Sequence, residues 1–192
     1  MRESSLHRVT GETDIEVSLN LDGSRQYDID TGIGFFNHML ELLASHSGFD
    51  LCVKAKGDLD VDGHHTVEDI GIVMGQCFSQ AVGDKRGIRR YSTFFVPMDE
   101  VLARVCVDVS GRGYLKYVNP FSVERIGEFE TEILEDFLYA FSTNAGINLN
   151  VRILDEGNNH HMCEAIFKAM ARALKEAVTV EGDEIPSSKG VL

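Results

Sequence analysis

The 192-residue chain is short of positive charge: 18 lysines and arginines stand against 31 aspartates and glutamates, for a formal net charge of −13. Because a nucleic-acid backbone needs a basic protein surface, this balance argues against DNA or RNA as a partner. The chain also lacks any stretch that approaches the ~20 apolar residues of a membrane span. No apolar run follows the charged first residues, so the sequence predicts neither a membrane partner nor a secretory signal.

Paired cysteines are also absent from the sequence. The four cysteines, at positions 52, 77, 106 and 163, are scattered along the chain without paired spacing. Reduced thiols in a cytoplasmic protein fit this distribution best. Hydrophobic residues make up 43% of the chain, which is ample for a core. The length suits one domain or two small similar ones.

A five-residue motif that occurs twice is the most informative feature: HHTVE begins at position 64 and HHMCE at position 160. On a helix, residues i and i+4 share a face, so the first histidine and the glutamate of each motif could bind one ion. The second histidine would point ~100° away, which suits a different ion. Imidazoles and a carboxylate are good ligands for a divalent transition metal, whereas two exposed histidine pairs that happen to match are the alternative. The candidate ligands are His64, His65, Glu68, His160, His161 and Glu164.

The rest of the chain follows the same twofold plan. The two motifs start 96 residues apart, half of the chain, and GFDL at 48–51 matches GINL at 146–149. We therefore predict an α+β fold of two pseudo-symmetric repeats, each a small mixed sheet backed by two helices, with the helices packed between the sheets. The predicted repeats are residues 1–92 and 93–192 of one compact duplicated unit. The two motif-bearing helices would be related by a pseudo-twofold axis.

Periodicity predicts the elements of each half. In the first half, alternating apolar residues predict two strands within 9–30, a helix over 35–47 that ends at Gly48, a strand over 51–56 and a helix over 64–82. In the second half, the predicted strands are 101–109, 114–118 and 147–154, and the predicted helices are 131–143 and 160–178.

Superposing the halves adds two candidate ligands. His38 stands ten residues before Gly48, and Asp136 stands ten residues before Gly146. Both side-chain types bind Mn²⁺ or Zn²⁺, and a carboxylate favours the harder ion. His38 alone on an apolar helix would more often be a packed histidine, so the repeat is what makes it a candidate. Two ions per chain, each with about four protein ligands and open positions, is the economical interpretation.

Cations in glycine-rich or serine-rich loops form a second group of candidates. Arg90 follows a glycine break, Arg112 lies between two glycines, and Lys189 follows Ser187 and Ser188. In a chain this acidic, such cations and hydroxyls suggest a phosphate-binding site, with solvated loop residues as the alternative. The arginine before Arg90 is an equal candidate, because periodicity does not distinguish adjacent residues.

Five segments of the chain, in matching order, resemble the imidazoleglycerol-phosphate dehydratases of histidine biosynthesis: FFNHM at 35–39, DGHHTVED at 62–69, GDKRGI at 83–88, NHH at 159–161 and PSSKG at 186–190. The resemblance spans the chain from about residue 8 to the end. It implies a duplicated half-domain of the ribosomal S5 domain 2-like type. It also implies a manganese enzyme that removes water from D-erythro-imidazole glycerol phosphate to give imidazole acetol phosphate. Two Mn²⁺ per chain would lie at subunit interfaces of a cage-like homo-oligomer of twenty-four subunits.

The resemblance implies roles residue by residue. Glu12 becomes a substrate-contacting acid or base, and a metal-linked glutamate, Glu68 or Glu164, is the alternative proton carrier. Asp136 falls where some relatives have histidine. The implied metal ligands are His38, His64, His65, Glu68, Asp136, His160, His161 and Glu164, and the implied substrate-binding residues are Glu12, His38, Arg90, Arg112, Ser187, Ser188 and Lys189.

Two positions depart from the family pattern, and two other functions stay open. Relatives commonly carry aspartate where Asn37 stands, and often histidine where Asn150 stands, so Asn37 could weaken the orientation of the adjacent His38.

The candidate ligands alone also permit a two-metal hydrolase, or a non-catalytic oligomer held together by structural metal sites with closed coordination. They accept manganese, zinc, iron and cobalt, so the residues alone do not fix the metal.

Overall fold

The structure of the protein, a computed structural model, describes residues 2–192. Its elements in chain order are β1 (Glu3–Val9), β2 (Thr13–Asn20), β3 (Tyr27–Asp30), α1 (Gly34–Ser47), β4 (Asp50–Gly57), α2 (His64–Val82), β5 (Tyr91–Met98), β6 (Val101–Asp108), β7 (Tyr114–Lys116), β8 (Arg125–Ile126), β9 (Phe129–Glu130), α3 (Ile133–Ala145), β10 (Asn148–Asp155) and α4 (Asn159–Ala177).

The two four-stranded sheets have the same strand order. The first is β1-β2-β4-β3 and the second is β5-β6-β10-β7. In each sheet the last strand pairs parallel with its neighbour, and the other pairs are antiparallel. The predicted α+β fold of two repeats, each with a small mixed sheet and two helices, is therefore confirmed. The predicted repeat boundary, between residues 92 and 93, falls just inside β5 and stays a prediction.

The four helices form one layer between the sheets. Helix α2 packs on β1 and β2, α4 packs on β5 and β6, α2 contacts α3, and α1 contacts α4. Each helix pair therefore joins one repeat to the other. At the centre, the rings of Phe36 and Phe137 are 5.2 Å apart and those of Phe137 and Phe167 are 5.7 Å apart, and all three are fully buried. The repeats consequently share one hydrophobic core.

The helix ends agree well with the sequence patterns. Gly48 has φ of 82° and ends α1, as predicted for a left-handed cap. Helix α2 has the predicted bounds, whereas α3 is shifted by two residues and β7 is two residues shorter than predicted. Among residues 2–192, no helix combines the length and apolar character that a membrane crossing needs.

Sequence patterns missed two edge strands and one insertion. Strand β1 is mostly polar, and β5 contains Pro97, which an edge strand tolerates because the missing N–H need not pair. In the second repeat, residues 117–132 with the β8–β9 hairpin link β7 to α3, whereas residues 31–33 suffice in the first. The insertion packs on the helix layer through the buried Phe129, whose ring stacks 5.7 Å from that of Phe36.

Gly75 marks a close approach of α2 to α3. A Cβ at this position would lie 2.7 Å from the carbonyl oxygen of Phe141 and 2.8 Å from Cβ of Asn144. Overpacking of this kind costs about 1–3 kcal/mol, which exceeds the helix-propensity gain of about 1 kcal/mol. We expect Gly75→Ala to lower the free energy of unfolding by about 1 kcal/mol, the overpacking cost less the propensity gain, in urea titrations at fixed protein concentration. Gln80→Ala, at an exposed position of α2 whose side chain pairs with Ser4 of β1, is the control, and an unchanged stability of Gly75→Ala would contradict the close crossing.

Candidate active site

Helices α1 and α4 bring together His38, His160 and Glu164, which we name the α1/α4 half-site. His38 Nε2 lies 2.9 Å and His160 Nε2 3.0 Å from the same atom, Glu164 Oε1. The three ligand atoms lie within 4.8 Å of one another. The Glu164 side chain is 10% exposed, whereas the two imidazoles are 43% and 45% exposed. Donor type and convergence therefore fit a transition-metal ion bound from the exposed side.

Helices α2 and α3 form the matching α2/α3 half-site from His64, Glu68 and Asp136. His64 Nδ1 is 3.5 Å from Asp136 Oδ2, and His64 Nε2 is 3.9 Å from Glu68 Oε2. The imidazole thus lies between the two carboxylates. One ion bound by all three side chains requires the ring to turn, so that a single nitrogen faces both carboxylates. Asp136 takes the place that His38 has in the other half-site.

The Glu164 carboxyl is strongly acidic in this setting. Burial acts to raise its pKa, but hydrogen bonds from Lys168, His38 and His160 outweigh burial and hold the pKa at about 2, below the ordinary 4.5. Lys168 Nζ donates to Glu164 Oε2 at 2.6 Å. The half-site therefore keeps an ionised carboxylate, the form that binds a cation.

Lys168 and its cationic neighbours were missed by the sequence analysis. Lys168 follows Glu164 by four residues on α4, so helical spacing was the available signal. His46, at the end of α1, has a pKa lowered by burial and by the charges of Lys168, Arg172 and Arg25. Positive charge thus extends from the α1/α4 half-site along the α1–α4 pair.

The second histidine of each motif points away from its own half-site. The ring planes of His64 and His65 are 89° apart with centroids 6.0 Å apart, and those of His160 and His161 are 88° apart at 6.3 Å. This divergence agrees with the helical spacing of adjacent residues. His65 and His161 are consequently held by other groups.

Carboxylates from the sheet loops hold these two imidazoles. His65 Nδ1 is 3.0 Å from Asp58 Oδ2 and 3.8 Å from Glu12 Oε2. The hydrogen bond to Asp58 raises the pKa of His65 above 6.5. His161 Nδ1 is 3.2 Å from Glu100 Oε2. The predicted acid or base Glu12 therefore lies beside a predicted metal ligand, on the exposed turn between β1 and β2.

A buried aspartate fixes the turn that carries Glu12. Asp69, which follows Glu68 on α2, is 8% exposed. Its Oδ2 accepts a hydrogen bond from the Thr13 hydroxyl and pairs with Arg8. The carboxylate thus ties the β1–β2 hairpin to the helix that bears the α2/α3 half-site.

The five predicted phosphate-binding residues line one cavity of about 360 Å³ near the C-terminus. Arg90 Nε donates to Asp108 Oδ1 at 2.8 Å, and its Nη1 donates to the Pro186 carbonyl at 2.8 Å. The adjacent Arg89 instead pairs with Glu176 and Glu181. Of the two adjacent arginines, Arg90 is therefore the one on the cavity wall, and its role in phosphate binding stays a prediction. The predicted residues on the wall are Arg90, Arg112, Ser187, Ser188 and Lys189.

The cavity and the α1/α4 half-site lie at opposite ends of α4. The Arg90 N–H donates to the carbonyl of Ala177, the last residue of α4, at 2.8 Å. His160 is in the first turn of the same helix. At about 1.5 Å per residue, these ends are ~26 Å apart. One small phosphorylated substrate is far too short to reach both regions of a single chain.

The two departures from the family pattern have local partners. Asn37 Oδ1 accepts hydrogen bonds from the Thr31 N–H at 2.9 Å and from the Thr31 hydroxyl at 2.5 Å. Asn150 Oδ1 accepts one from Arg104 at 3.1 Å. Asn37 therefore fixes the loop before α1, while the adjacent His38 is oriented by Glu164.

Comparison with known proteins identifies the family. A family model described as imidazoleglycerol-phosphate dehydratase matches residues 31–174. The chain belongs to the imidazoleglycerol-phosphate dehydratase family. A relative of that name from Thermoanaerobacter sp. (strain X514) is 57% identical over 194 residues, with full coverage of both chains. One from Clostridium botulinum (strain Langeland) is 54% identical over 196 residues, also with full coverage of both.

Solved structures of imidazoleglycerol-phosphate dehydratases share the fold. The Staphylococcus aureus protein has a TM-score of 0.84 at 43% identity, covering 93% of this chain and 99% of that one. The Pyrococcus furiosus protein, solved in complex with (S)-C348, has a TM-score of 0.83 at 31% identity, covering 97% and 100%. The chain is thus a hydro-lyase of histidine biosynthesis that converts imidazole glycerol phosphate to imidazole acetol phosphate. Membership favours this reaction over the hydrolase and the non-catalytic oligomer.

The depressed pKa of Glu164 predicts an acid-dependent loss of stability. Since the folded pKa of about 2 lies below 4.5, the ionised carboxylate stabilises the fold above pH 4.5, and this contribution is lost as the pH falls toward 2. The shift corresponds to at most ~3 kcal/mol. In the metal-free protein, we expect Glu164→Gln to be less stable than wild type at neutral pH and nearly equal to it near pH 2, measured by urea unfolding. The exposed Glu128→Gln is the control, and a stability gap independent of pH would contradict the assignment.

Proposed function

We propose that this dehydratase binds two Mn²⁺ ions per chain, one beside the α1/α4 half-site and one beside the α2/α3 half-site. The mixed imidazole and carboxylate ligands support a manganese-like ion, although zinc, iron and cobalt would bind the same groups. When bound to the substrate imidazole, such ions stabilise negative charge on the ring. That charge matters because the carbon that loses its proton bears a hydroxyl and has no neighbouring carbonyl.

Each half-site is completed by an imidazole from another chain. A half-site supplies three ligands, whereas about four plus open positions are expected of a catalytic ion. His65 and His161 point away from their own half-sites, and in each the Nδ1 atom is occupied by a carboxylate. Their Nε2 atoms are available to a second chain. This arrangement supports metal sites at subunit interfaces.

The ~26 Å separation between phosphate cavity and half-site along α4 is the observation that carries the proposal. A substrate whose imidazole lies at the α1/α4 half-site and whose phosphate lies near Arg90 must use the α1/α4 half-site of one chain and the cavity of another. The enzyme is therefore a homo-oligomer, and twenty-four subunits is the number that the family resemblance implies. All four cysteines are free, which supports a cytoplasmic location.

Besides holding the ions, the chain's own residues have two tasks in the reaction. Arg90, Arg112 and Lys189, with the hydroxyls of residues 187 and 188, bind the phosphate and so place the reacting carbon. Glu12 removes or returns the proton at that carbon, because its exposed carboxylate lies beside His65. Glu68 or Glu164 is the alternative proton carrier.

Mixed oligomers test whether one active site uses two chains. His160→Ala removes a metal ligand, and Arg90→Ala removes a phosphate ligand, so each variant alone should be nearly inactive. The two variants are unfolded separately, mixed in equal amounts and refolded together. Half of the half-sites and half of the cavities are then intact, so about a quarter of the active sites should combine an intact half-site with an intact cavity. We expect a corresponding return of dehydratase activity, measured by formation of the keto product.

The control for this test is each variant refolded alone under the same conditions. Gel filtration should show that mixed and single samples have the same size. Absence of recovered activity in correctly assembled mixtures would mean that half-site and cavity of one chain serve the same substrate. That result would overturn the proposal.

Glu68→Gln tests the α2/α3 half-site. Replacing a ligand carboxylate by a neutral amide should lower manganese content and turnover together, because a carboxylate binds Mn²⁺ far better than an amide does. Metal analysis of the purified protein should give about two Mn²⁺ per wild-type chain and fewer in the variant. The exposed Glu135→Gln is the control. Full manganese content with unchanged turnover in Glu68→Gln would remove this residue from the site.

A further inference from the structure

We propose that Asp58 and Glu100 are positioning residues that fix the imidazoles of His65 and His161 in the tautomer with the proton on Nδ1. Each ring then presents an unprotonated Nε2 to the metal site of a neighbouring chain. The inference rests on the proposed function, in which these two histidines are ligands supplied to another chain.

The first contact joins the end of β4 to the start of α2. Asp58 lies one residue after β4, and its Oδ2 is 3.0 Å from His65 Nδ1. The Asp58 side chain is 25% exposed, and its Oδ1 is buried without a hydrogen-bond partner in the described chain. Because Oδ1 has no other partner, the ring N–H at Oδ2 is the one hydrogen bond that the described chain offers this charged acceptor.

The second contact joins the β5–β6 turn to the start of α4. Glu100 Oε2 is 3.2 Å from His161 Nδ1, while its Oε1 accepts the backbone N–H of Asn158 at 2.6 Å. The approach is so close that a Cβ at Gly157 would lie 2.3 Å from Glu100 Cγ. Glu100 is therefore anchored on the loop that precedes α4 and cannot turn away from the ring without breaking that anchor.

The two carboxylates come from places that are not equivalent in the repeats. Asp58 follows β4, the fourth strand of the first repeat, whereas Glu100 lies in the first hairpin turn of the second repeat, where the first repeat has Glu12. A duplication alone would place both carboxylates at one position. In both repeats a carboxylate nevertheless contacts Nδ1 of the second histidine of the motif, although the carboxylate comes from a different loop in each. The contact itself is therefore what the two sites have in common.

The physical effect of the contact is on the tautomer and on the ring angle. A neutral imidazole carries one N–H, and an acceptor at Nδ1 holds the proton there, which leaves the Nε2 lone pair for a metal. An amide in place of the carboxylate can donate its own N–H to Nδ1. That interaction favours the opposite tautomer, in which Nε2 is protonated and cannot bind. Removing such partners of metal-binding histidines typically lowers metal affinity about 10–100-fold.

Mn²⁺ titration of the purified full-length chain tests this inference for each ion separately. We expect Asp58→Asn and Glu100→Gln each to weaken one of the two Mn²⁺ ions about 10–100-fold and to leave the other unchanged. Calorimetry or electron paramagnetic resonance of Mn²⁺ measures both affinities. The activating Mn²⁺ concentration should rise accordingly, while kcat at saturating Mn²⁺ stays close to wild type.

Matched controls are available beside both carboxylates. Asp99 is 79% exposed and lies 3.9 Å from His161 Nδ1, beyond hydrogen-bond distance. Asp60 is exposed in the loop that carries Asp58. Asp99→Asn and Asp60→Asn remove the same formal charge from the same loops, so general electrostatics predicts equal effects in all four variants. Tautomer fixation predicts that both controls keep wild-type affinity for both ions.

A merely structural role is distinguished by two further measurements. Glutamine at position 100 can still accept the Asn158 N–H, so the thermal stability of the metal-free Glu100→Gln variant should match wild type. Imidazole ¹⁵N shifts should show the proton of His161 on Nδ1 in wild type and a loss of that preference in Glu100→Gln. Unchanged affinity for both ions, or equal weakening of both ions with lowered stability, would overturn the inference. A wild-type chain that binds no Mn²⁺ would instead overturn the proposed function.

Discussion

The pairing of one buried carboxylate with two exposed imidazoles is the constraint on which the site depends. Glu164 Oε1 contacts the imidazoles of both His38 and His160, and Glu164 Oε2 accepts a hydrogen bond from Lys168. A carboxylate that is 10% exposed stays ionised only because these three donors compensate for the lost water. The contact also joins α1 of the first repeat to α4 of the second. The proposed metal binding and the packing of the repeats thus depend on the same side chain.

Under the proposed function, the duplicated fold explains why an active site would be shared between chains. Adjacent histidines on a helix diverge, so each motif aims one imidazole at its own half-site and the other outward. The cavity proposed to bind phosphate lies at the far end of α4, beside Arg90. One chain therefore holds all the side chains proposed for the site, but its α1/α4 half-site and its cavity are separated by the length of a helix. Association of copies is the economical way to bring them together.

Sequence reasoning succeeded where a local period or the internal repeat carried the information. Helical spacing alone linked His64 with Glu68, and the overlay of the halves alone matched Asp136 with His38. It failed where a contact joins distant loops. The carboxylate of Glu100 reaches α4 from a hairpin turn about sixty residues earlier, and no period encodes that distance. Edge strands β1 and β5 were missed because only one neighbour pairs with each, so their patterns are weakly constrained.

Anomalous diffraction at the manganese edge, from crystals grown with Mn²⁺, tests the central claim most directly. The account predicts two manganese peaks per chain. One should lie against Nε2 of His38, Nε2 of His160 and Oε1 of Glu164, and each should be within bonding distance of an imidazole from a second chain. Peaks whose ligands all come from one chain, or a Glu164 carboxylate that binds no metal, would contradict it.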